Sequence, residues 1–218
     1  MTTSSPAGTD SLFDALYTQR AIRKFKPDPV PRELLWKVLE AATKAPSGTN
    51  RQPWRWIVVE DAARRAGIAK ALEAHLQTND AMRTYFESGA TSDDKSTRLM
   101  LSGALALAHN VGVAPVLVIP CYWSDGNRIP DRLLTGSSLY PAVQNLLLAA
   151  RGLGLGTVLT TFQSGILEHL RAEIGIPEEA FPAALIPLGW PDANFGPTSR
   201  KPVDEVVYWE SWGTTAAR

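Results

Sequence analysis

Two stretches of the sequence that predict loops are rich in positively charged side chains. Arg20 and Arg23 lie in "RAIRKFK", between two predicted helices, and Arg200 and Lys201 lie in "TSRKP", after the last predicted strand. Neither stretch contains a carboxylate that could neutralise these cations, and the planar guanidinium group suits carboxylate and phosphate ligands. The pattern fits an anion-binding site. The alternative interpretation, that these are ordinary solvated surface cations, stays open.

A second stretch, "APSGTNRQPW", covers residues 45–54 and separates a predicted helix from a predicted buried strand. It is longer than a turn requires, and a disordered linker would have no need of Trp54. Ser47 lies within it, but no GxSxG sequence surrounds this serine and no histidine stands close by in the sequence. A hydrolase nucleophile is therefore not indicated.

Disulfide and metal chemistry are disfavoured by the residue counts. Cys121 is the single cysteine and lies in the apolar run "APVLVIPCYW", where we expect a small buried side chain. The three histidines, His75, His109 and His169, are far apart and lack the spacing of a zinc site. We predict no metal.

The glycines of "GLGLG", residues 152–156, resemble a dinucleotide-binding fingerprint only superficially. That fingerprint follows a strand and opens a helix, whereas here the predicted order is helix, glycines, strand. We interpret these glycines as a helix end and a close approach between backbones.

Composition limits the classes of partner. The chain has 218 residues, of which 44% are hydrophobic and 20% are charged, as is ordinary for one globular domain. Lysine plus arginine equals aspartate plus glutamate, so binding to nucleic acid or to an anionic membrane is not favoured. No apolar run has the length of a membrane span, and "MTTSSPAGTD" lacks the layout of a secretion signal. We expect a cytoplasmic protein with a flexible tail over residues 1–9 and one domain over 10–218.

Hydrophobic period and helix-capping residues predict helices and strands in α+β order. The predicted helices begin near Thr9 or Asp10, at Pro31, after Asp61, at "RLMLSGALALAHN", at "YPAVQNLLLAARG" and at "SGILEHLRAEIG". The predicted strands are "RWIVVE", "APVLVIPCYW", "TVLTT" and "FPAALIPLGW". Residues 78–97 lose periodicity and predict a mobile loop or lid, with Tyr85 and Phe86 available to stack on a flat substrate. A plain surface insertion is the alternative for that segment.

Four motifs occur in the order found in nitroreductase-like flavoproteins: "RAIRKF", "APSGTNRQPW", "GLGTVLTT", and "LGWP" followed by "RKPVDEVVYW". The chain resembles that family from residue 10 to 212, and "VVYWESW" is most similar to a mycobacterial-type branch. The resemblance implies an α+β fold with a central mixed sheet flanked by helices, in an intertwined homodimer. It also implies FMN at the subunit interface, and a tail over residues 196–218 that reaches the partner subunit.

The resemblance further implies roles for individual residues. Arg20 and Arg200 match phosphate-binding arginines, with Lys201 a weaker match, and Arg23 matches the basic residue beside flavin N1 and the C2 carbonyl. Thr160 and Thr161 match threonines that approach flavin N5. The resemblance implies that the partner's flavin ring lies on the loop containing Pro46, Ser47, Gly48 and Asn50. Two positions depart from the family: Ala21 replaces a common serine and Gln19 a common arginine, so flavin affinity is expected to be reduced.

The activity implied is a ping-pong reaction in which NAD(P)H and then a nitroaromatic or quinone-like acceptor use the same pocket. Arg23 and Thr161 are the residues expected to act on the reacting ring. The sequence does not choose between NADH and NADPH or name the acceptor. Reductive dehalogenation, flavin fragmentation, and a flavin-binding or storage protein without turnover remain as alternatives. The lid residues of iodotyrosine deiodinases are not recognisable in residues 73–95, which disfavours amino-acid dehalogenation.

Overall fold

The computed structural model describes residues 8–124 and 132–216, with side chains assigned from residue 135 onward in the second range. Seven helices are present in these ranges: α1 (Leu12–Thr18), α2 (Arg32–Ala42), α3 (Ala62–Thr78), α4 (Asp80–Ala90), α5 (Lys95–Asn110), α6 (Arg132–Gly152) and α7 (Leu167–Ile174). The strands are β1 (Trp54–Val59), β2 (Val116–Trp123), β3 (Gly156–Thr157), β4 (Ala180–Pro182) and β5 (Ile186–Gly189). The α+β prediction is confirmed.

The strands form one sheet in the order β1-β2-β5-β3, and β4 pairs with the far half of β2. The pairs between these strands are antiparallel. A parallel pairing occurs at the sheet's outer edge, where Ala21 bridges Thr157 of β3. The sheet is mixed only through this bridge, which attaches the segment after α1 to the edge.

The sheet separates two hydrophobic cores, and β2 contributes to both. Leu117, Ile119 and Cys121 belong to the core shared with α3, α5 and α7, whereas Val116 and Val118 belong to the core shared with α2 and α6. Alternate side chains of a strand point to opposite faces, so a strand covered on both faces is apolar throughout. This explains the uninterrupted apolar run predicted as a buried strand. Burial also raises the pKa of the Cys121 thiol to about 12, so this side chain stays protonated.

The interpretation of the glycine run as a helix end is confirmed. Helix α6 ends at Gly152, and Gly154 adopts a φ of 76° in the turn that follows. A Cβ atom at Gly156 would stand 2.7 Å from Cγ2 of Ile22, so a side chain there would force the edge segment away from β3. These glycines let the backbone of the segment after α1 approach the sheet closely.

The N-terminal tail predicted over residues 1–9 extends into described residues only at its end. Residues 1–7 lie outside the described residues. The backbone N–H of Thr9 donates to the carbonyl of Gly152 at 2.9 Å, so residue 9 is attached to the end of α6. Helix α1 begins at Leu12 behind the Ser11 cap, later than predicted.

The prediction that residues 78–97 form an irregular loop is wrong. Asn79 caps α4 by accepting a hydrogen bond from the backbone N–H of Met82 at 3.0 Å, and α4 extends to Ala90. Phe86 is only 7% exposed, and Gly89 is packed so closely on Leu101 of α5 that a Cβ atom would clash. Met82, Phe86 and Gly89 have the spacing of a helix face, but a glycine carries no hydrophobic signal. Phe86 therefore belongs to the core, while Tyr85 is 58% exposed.

Candidate functional site

The segment that carries Arg20 and Arg23 is held at the outer edge of the sheet. The N–H of Ile22 donates to the carbonyl of Thr157 at 3.0 Å, and the Ile22 side chain is buried. Arg20 is exposed, whereas Arg23 is half-buried and lies along α5, where a Cβ atom at Gly103 would be 3.4 Å from its Cδ. The edge pairing therefore fixes the backbone between the two arginines, and Gly103 leaves room for the Arg23 side chain.

The two arginines form a positively charged site. Burial lowers the pKa of Arg23, and the like charge of Arg20 lowers this pKa further. The ordinary pKa of an arginine is so high that the group stays charged near neutral pH. Among the ion pairs of residues 8–124 and 132–216, no carboxylate partners Arg20 or Arg23. A pair of like charges without a counter-ion is an arrangement that an anionic ligand stabilises.

The C-terminal segment reaches the same edge. Thr198 donates through its backbone N–H to the carbonyl of Tyr17 at 3.0 Å, and a Cβ atom at Gly196 would lie 3.6 Å from Nη1 of Arg20. Arg200 is exposed and donates to the neighbouring Ser199 carbonyl at 2.7 Å. Lys201 is exposed as well. The structure thus brings the segment that precedes Arg200 beside Arg20.

The loop between α2 and β1 has an unusual backbone. Thr49, Asn50 and Gln52 have φ angles of 50°, 55° and 49°, in the region that favours glycine. Such conformations persist when the surroundings fix them, and they concentrate at functional sites. Here the Ser47 hydroxyl accepts from the N–H of Gln52 at 3.0 Å.

A second contact fixes this loop from outside. The N–H of Gly48 donates to the hydroxyl of Ser138 on α6 at 3.2 Å, and Ser138 is buried. Sequence reasoning missed Ser138, because nothing in the local pattern of an apolar helix indicates a contact 90 residues away. Pro46, Gly48 and Asn50 are exposed, and no atom of the described chain lies within 4 Å of the position for a Gly48 Cβ. The loop is therefore held on the side of α6 by Ser138, and the space beside Gly48 is open.

The two predicted threonines differ in their surroundings. Thr160 is buried, and both its N–H and its hydroxyl donate to the carbonyl of Leu185, at 3.2 Å and 2.6 Å. Thr161 is exposed, and within the described part of the chain neither its N–H nor its hydroxyl has a donor role. Thr160 therefore holds the strand end in place, and Thr161 retains hydrogen-bonding capacity for a ligand.

The loop and the arginines lie at opposite edges of the sheet. The loop enters β1, whereas Ala21 extends the sheet beyond β3. Four strand-to-strand steps separate them, and at about 4.8 Å a step this is roughly 19 Å. One chain therefore does not bring the two predicted groups of site residues together.

An apolar groove lies beside the loop, between α2 and the edge strand β1. Its volume is about 740 Å³, and its apolar lining comes from Leu35, Trp36, Leu39, Trp54, Trp56 and Val58. Trp36 is 71% exposed, and the buried indole N–H of Trp56 has no hydrogen-bond acceptor in the described residues. In the same chain Leu12, Phe13, Leu16 and Tyr17 of α1 are also exposed. Soluble monomers rarely expose apolar surfaces of this kind, which are typical of contacts with a partner.

None of the helices in residues 8–124 and 132–216 combines the length and apolarity needed to cross a bilayer. No three His, Cys, Asp or Glu side chains there are grouped as metal ligands would be.

The family model described as "Nitroreductase family" matches residues 16–190. The chain belongs to this family.

Several characterised relatives carry different activities in their names. The chain is 31% identical over 201 residues to an NADH dehydrogenase of Thermus thermophilus, covering 89% of this chain and 94% of the relative. It is 30% identical over 204 residues to a nitrobenzene nitroreductase of Ectopseudomonas oleovorans, covering 82% and 86%. It is also 30% identical over 190 residues to a 5,6-dimethylbenzimidazole synthase of Rhodospirillum rubrum, covering 84% and 82%.

Solved structures show the same fold. An FMN and NADPH-dependent nitroreductase from Sphigopyxis sp. strain HMH gives a TM-score of 0.72 at 24% identity, over 93% of this chain and 100% of that one. An iodotyrosine deiodinase bound to FMN and 3-iodo-L-tyrosine gives 0.68 at 26% identity, over 92% and 99%. The predicted nitroreductase-like fold is confirmed.

Proposed function

We propose that the protein is an FMN-dependent NAD(P)H oxidoreductase that reduces nitroaromatic or quinone-like acceptors by two electrons. The observation that carries this proposal is the pair Arg20 and Arg23, which share a sheet edge and form no ion pair with a carboxylate of the described residues. In a member of an oxidoreductase family, such an edge suits a mononucleotide whose phosphate and reduced ring both carry negative charge. FMN, when bound, supplies the hydride acceptance and donation of the reaction.

The chain's own residues divide the work. Arg20 and Arg200 would hold the phosphate, because both are exposed cations on segments that meet at the sheet edge. Arg23 would face the part of the ring that gains charge on reduction, since its guanidinium is half-buried and held against Gly103. Thr161 would offer its free N–H or hydroxyl, while Ala21 contributes backbone only.

We propose that the site is completed by a second copy of the chain. The strained loop lies roughly 19 Å from the arginines of the same chain, taking about 4.8 Å per strand. In a homodimer, Pro46, Ser47, Gly48 and Asn50 of one copy would lie on the ring held by the other. Small residues and an open front at Gly48 allow a flat ring to approach the backbone.

The C-terminal tail gives the dimer a second contact. Tyr208, Trp209 and Trp212 are exposed in the single chain, Trp212 by 91%. The groove between α2 and β1 offers an apolar lining of matching character and an edge strand with unpaired backbone groups. We propose that the tail of one copy covers this groove of the other.

The first experiment is an absorption spectrum of the purified protein, followed by anaerobic addition of NADH or NADPH. We expect a flavin spectrum that loses its visible absorbance on addition of one or both nucleotides. Flavin that binds but never bleaches would point to a binding or storage protein instead. A protein that neither retains nor rebinds FMN would contradict the proposal.

A panel of acceptors then identifies the chemistry. Nitrobenzene and a benzoquinone test the leading proposal. 3-Iodotyrosine is included because the solved deiodinase shares this fold, and oxygen consumption with loss of FMN tests for flavin fragmentation, in view of the benzimidazole synthase relative. Turnover of iodotyrosine alone would replace the proposed activity by dehalogenation.

A further inference from the structure

Arg151, in the last turn of α6, is a buried cation with an unusual set of neighbours. Its side chain is 8% exposed. Its Nε donates to Oγ1 of Thr18 at 2.8 Å, and its Nη2 donates to Oδ2 of Asp14 at 3.1 Å. The guanidinium carbon also lies 4.3 Å from the ring centroid of Phe195. Burial of a cation is unfavourable without such partners, so these contacts fix the side chain in one position.

The two elements that Arg151 contacts both lead into the arginine edge. Thr18 is the last residue of α1 and stands two positions before Arg20. Phe195 directly precedes Gly196, the residue beside Nη1 of Arg20, and the same segment continues through Thr198 to Arg200. Arg151 is therefore a buried link between the two chain segments that carry the proposed phosphate-binding cations.

We infer that Arg151 is a positioning residue that holds the segments of Arg20 and Arg200 in the arrangement that binds the FMN phosphate. The inference rests on the proposed function. Like charges repel, so Arg20 and Arg200 need an external constraint to converge before the ligand arrives. Arg151 supplies it through its hydrogen bonds to Asp14 and Thr18 and through its contact with the ring of Phe195.

An arginine is required for this arrangement. The planar fork directs one donor to a hydroxyl and another to a carboxylate while the flat face packs on an aromatic ring. The ammonium group of a lysine is a compact point charge and would not make the three contacts together. The conservative substitution Arg151→Lys should therefore weaken FMN binding, although it preserves the positive charge.

The test compares Arg151→Lys with Arg65→Lys in the full-length protein. Arg65 is the matched control, because its Nη1 also anchors two backbone carbonyls, of Gly112 at 2.8 Å and of Ala114 at 2.6 Å, away from the arginine edge. FMN is removed, and the dissociation constant for added FMN is measured by quenching of flavin fluorescence. Thermal unfolding of each flavin-free protein is recorded in parallel.

We expect Arg151→Lys to raise the dissociation constant for FMN about tenfold, equivalent to about 1.4 kcal/mol, and Arg65→Lys to leave it within twofold. Phe195→Leu, which leaves every charge in place, should raise it severalfold and serves if the arginine variant does not fold. Arg151→Lys combined with Arg20→Ala should weaken binding by less than the product of the single effects, since both act on the same phosphate contact.

Three outcomes would overturn the inference. If Arg151→Lys and Phe195→Leu bind FMN like the parent while their melting temperatures fall, Arg151 only stabilises the fold. If the effects of Arg151→Lys and Arg20→Ala multiply fully, the two residues act independently. If the parent protein itself does not bind FMN, the proposed function fails and the inference fails with it.

Discussion

The two edges of the sheet differ in what they offer a ligand. The β3 edge offers side-chain charge, because Arg20 and Arg23 lie close together and neither has an ion pair with a carboxylate of the described residues. The β1 edge offers exposed backbone, because Thr49, Asn50 and Gln52 have positive φ angles and the space beside Gly48 is open. The first edge can select for charge, and the second can admit a flat ring. Under the proposed function, each edge supplies only part of a site that a second copy of the chain would complete.

The largest expected effect comes from removing the proposed link between copies. Truncation after Pro202 deletes Tyr208, Trp209 and Trp212, each of which can bury roughly 150–250 Å² in a complex. We expect the dimer dissociation constant to rise at least about a hundredfold, or about 2.7 kcal/mol, and the flavin content to fall with it. Sedimentation at several concentrations and flavin absorbance measure the two quantities. An unchanged dimer that holds full flavin would show that the tail does not join the edges.

Within the charged edge, Arg23 and Arg200 are expected to differ. A charge-assisted hydrogen bond contributes about 1.5 to 3 kcal/mol, so Arg23→Ala should slow flavin reduction roughly ten- to a hundred-fold if that interaction strengthens on reduction. Arg200→Ala should mainly weaken flavin retention, because a phosphate is charged in both redox states. Stopped-flow reduction of FMN-saturated variants and flavin dissociation separate the two. If flavin in Arg23→Ala is reduced at the parental rate, Arg23 does not stabilise the reduced ring and the proposed role is wrong.

Within the backbone edge, Ser138 offers a smaller change. Ser138→Ala removes the hydroxyl that accepts from the Gly48 N–H, and one hydrogen bond contributes about 1 kcal/mol. We expect a loss of about 1 kcal/mol in unfolding free energy and a few-fold weaker flavin binding. Ser102→Ala on α5 is the control, because the Ser102 hydroxyl donates to the carbonyl of Leu99 in its own helix at 3.4 Å. Equal effects of Ser138→Ala and Ser102→Ala on flavin binding would show that the loop takes no part in the flavin site.

Tyr85 carries the smallest expected effect. Because Phe86 lies in the core, its replacement by alanine would cost about 3 to 5 kcal/mol of stability and would not report on substrate. The exposed Tyr85 can be tested by itself. We expect Tyr85→Ala to change the ratio of rates for nitroaromatic and quinone acceptors a few-fold, with an unchanged flavin spectrum. If Tyr85→Ala and the parent protein show the same rate ratios across the acceptor panel, α4 is a plain surface helix and not a lid.

Local sequence signals predicted much of the fold. The predicted helix after Asp61 is confirmed as α3, and the Asp61 carboxylate caps it by accepting a hydrogen bond from the N–H of Arg64 at 2.8 Å. The predicted strand "FPAALIPLGW" is interrupted, because Ala183 donates its N–H to the carbonyl of Pro120 between β4 and β5. Of the predicted strand "TVLTT", only Thr157 belongs to β3, and Thr160 forms a separate bridge to Leu185. Local pattern shows that a segment is extended, whereas its partners depend on tertiary packing.

The candidate site was predictable in its residue types but not in its layout. The charges of Arg20, Arg23 and Arg200 and the small residues of the loop can be seen in the sequence. Their placement at opposite edges depends on the strand order, which pairs β2 with β5 across 68 residues of sequence from Val118 to Ile186. The same holds for Arg151, whose partners at Thr18 and Phe195 are distant in sequence. No local period contains that information.

The central claim, that each site combines the arginine edge of one copy with the loop of another, can be tested with mixed dimers. One tagged subunit carries Arg20→Ala and Arg200→Ala. A differently tagged subunit carries Gly48→Trp, at a position where no atom of the described chain lies within 4 Å of a Cβ.

Heterodimers isolated through both tags are titrated with FMN beside the two mutant homodimers and the parent. A shared site leaves one site of each heterodimer intact and disables the other twice. The account predicts that the heterodimer binds about half as much flavin as the parent dimer while both mutant homodimers bind little. A heterodimer that binds no more flavin than the mutant homodimers would contradict it, because every site would then belong to a single damaged chain.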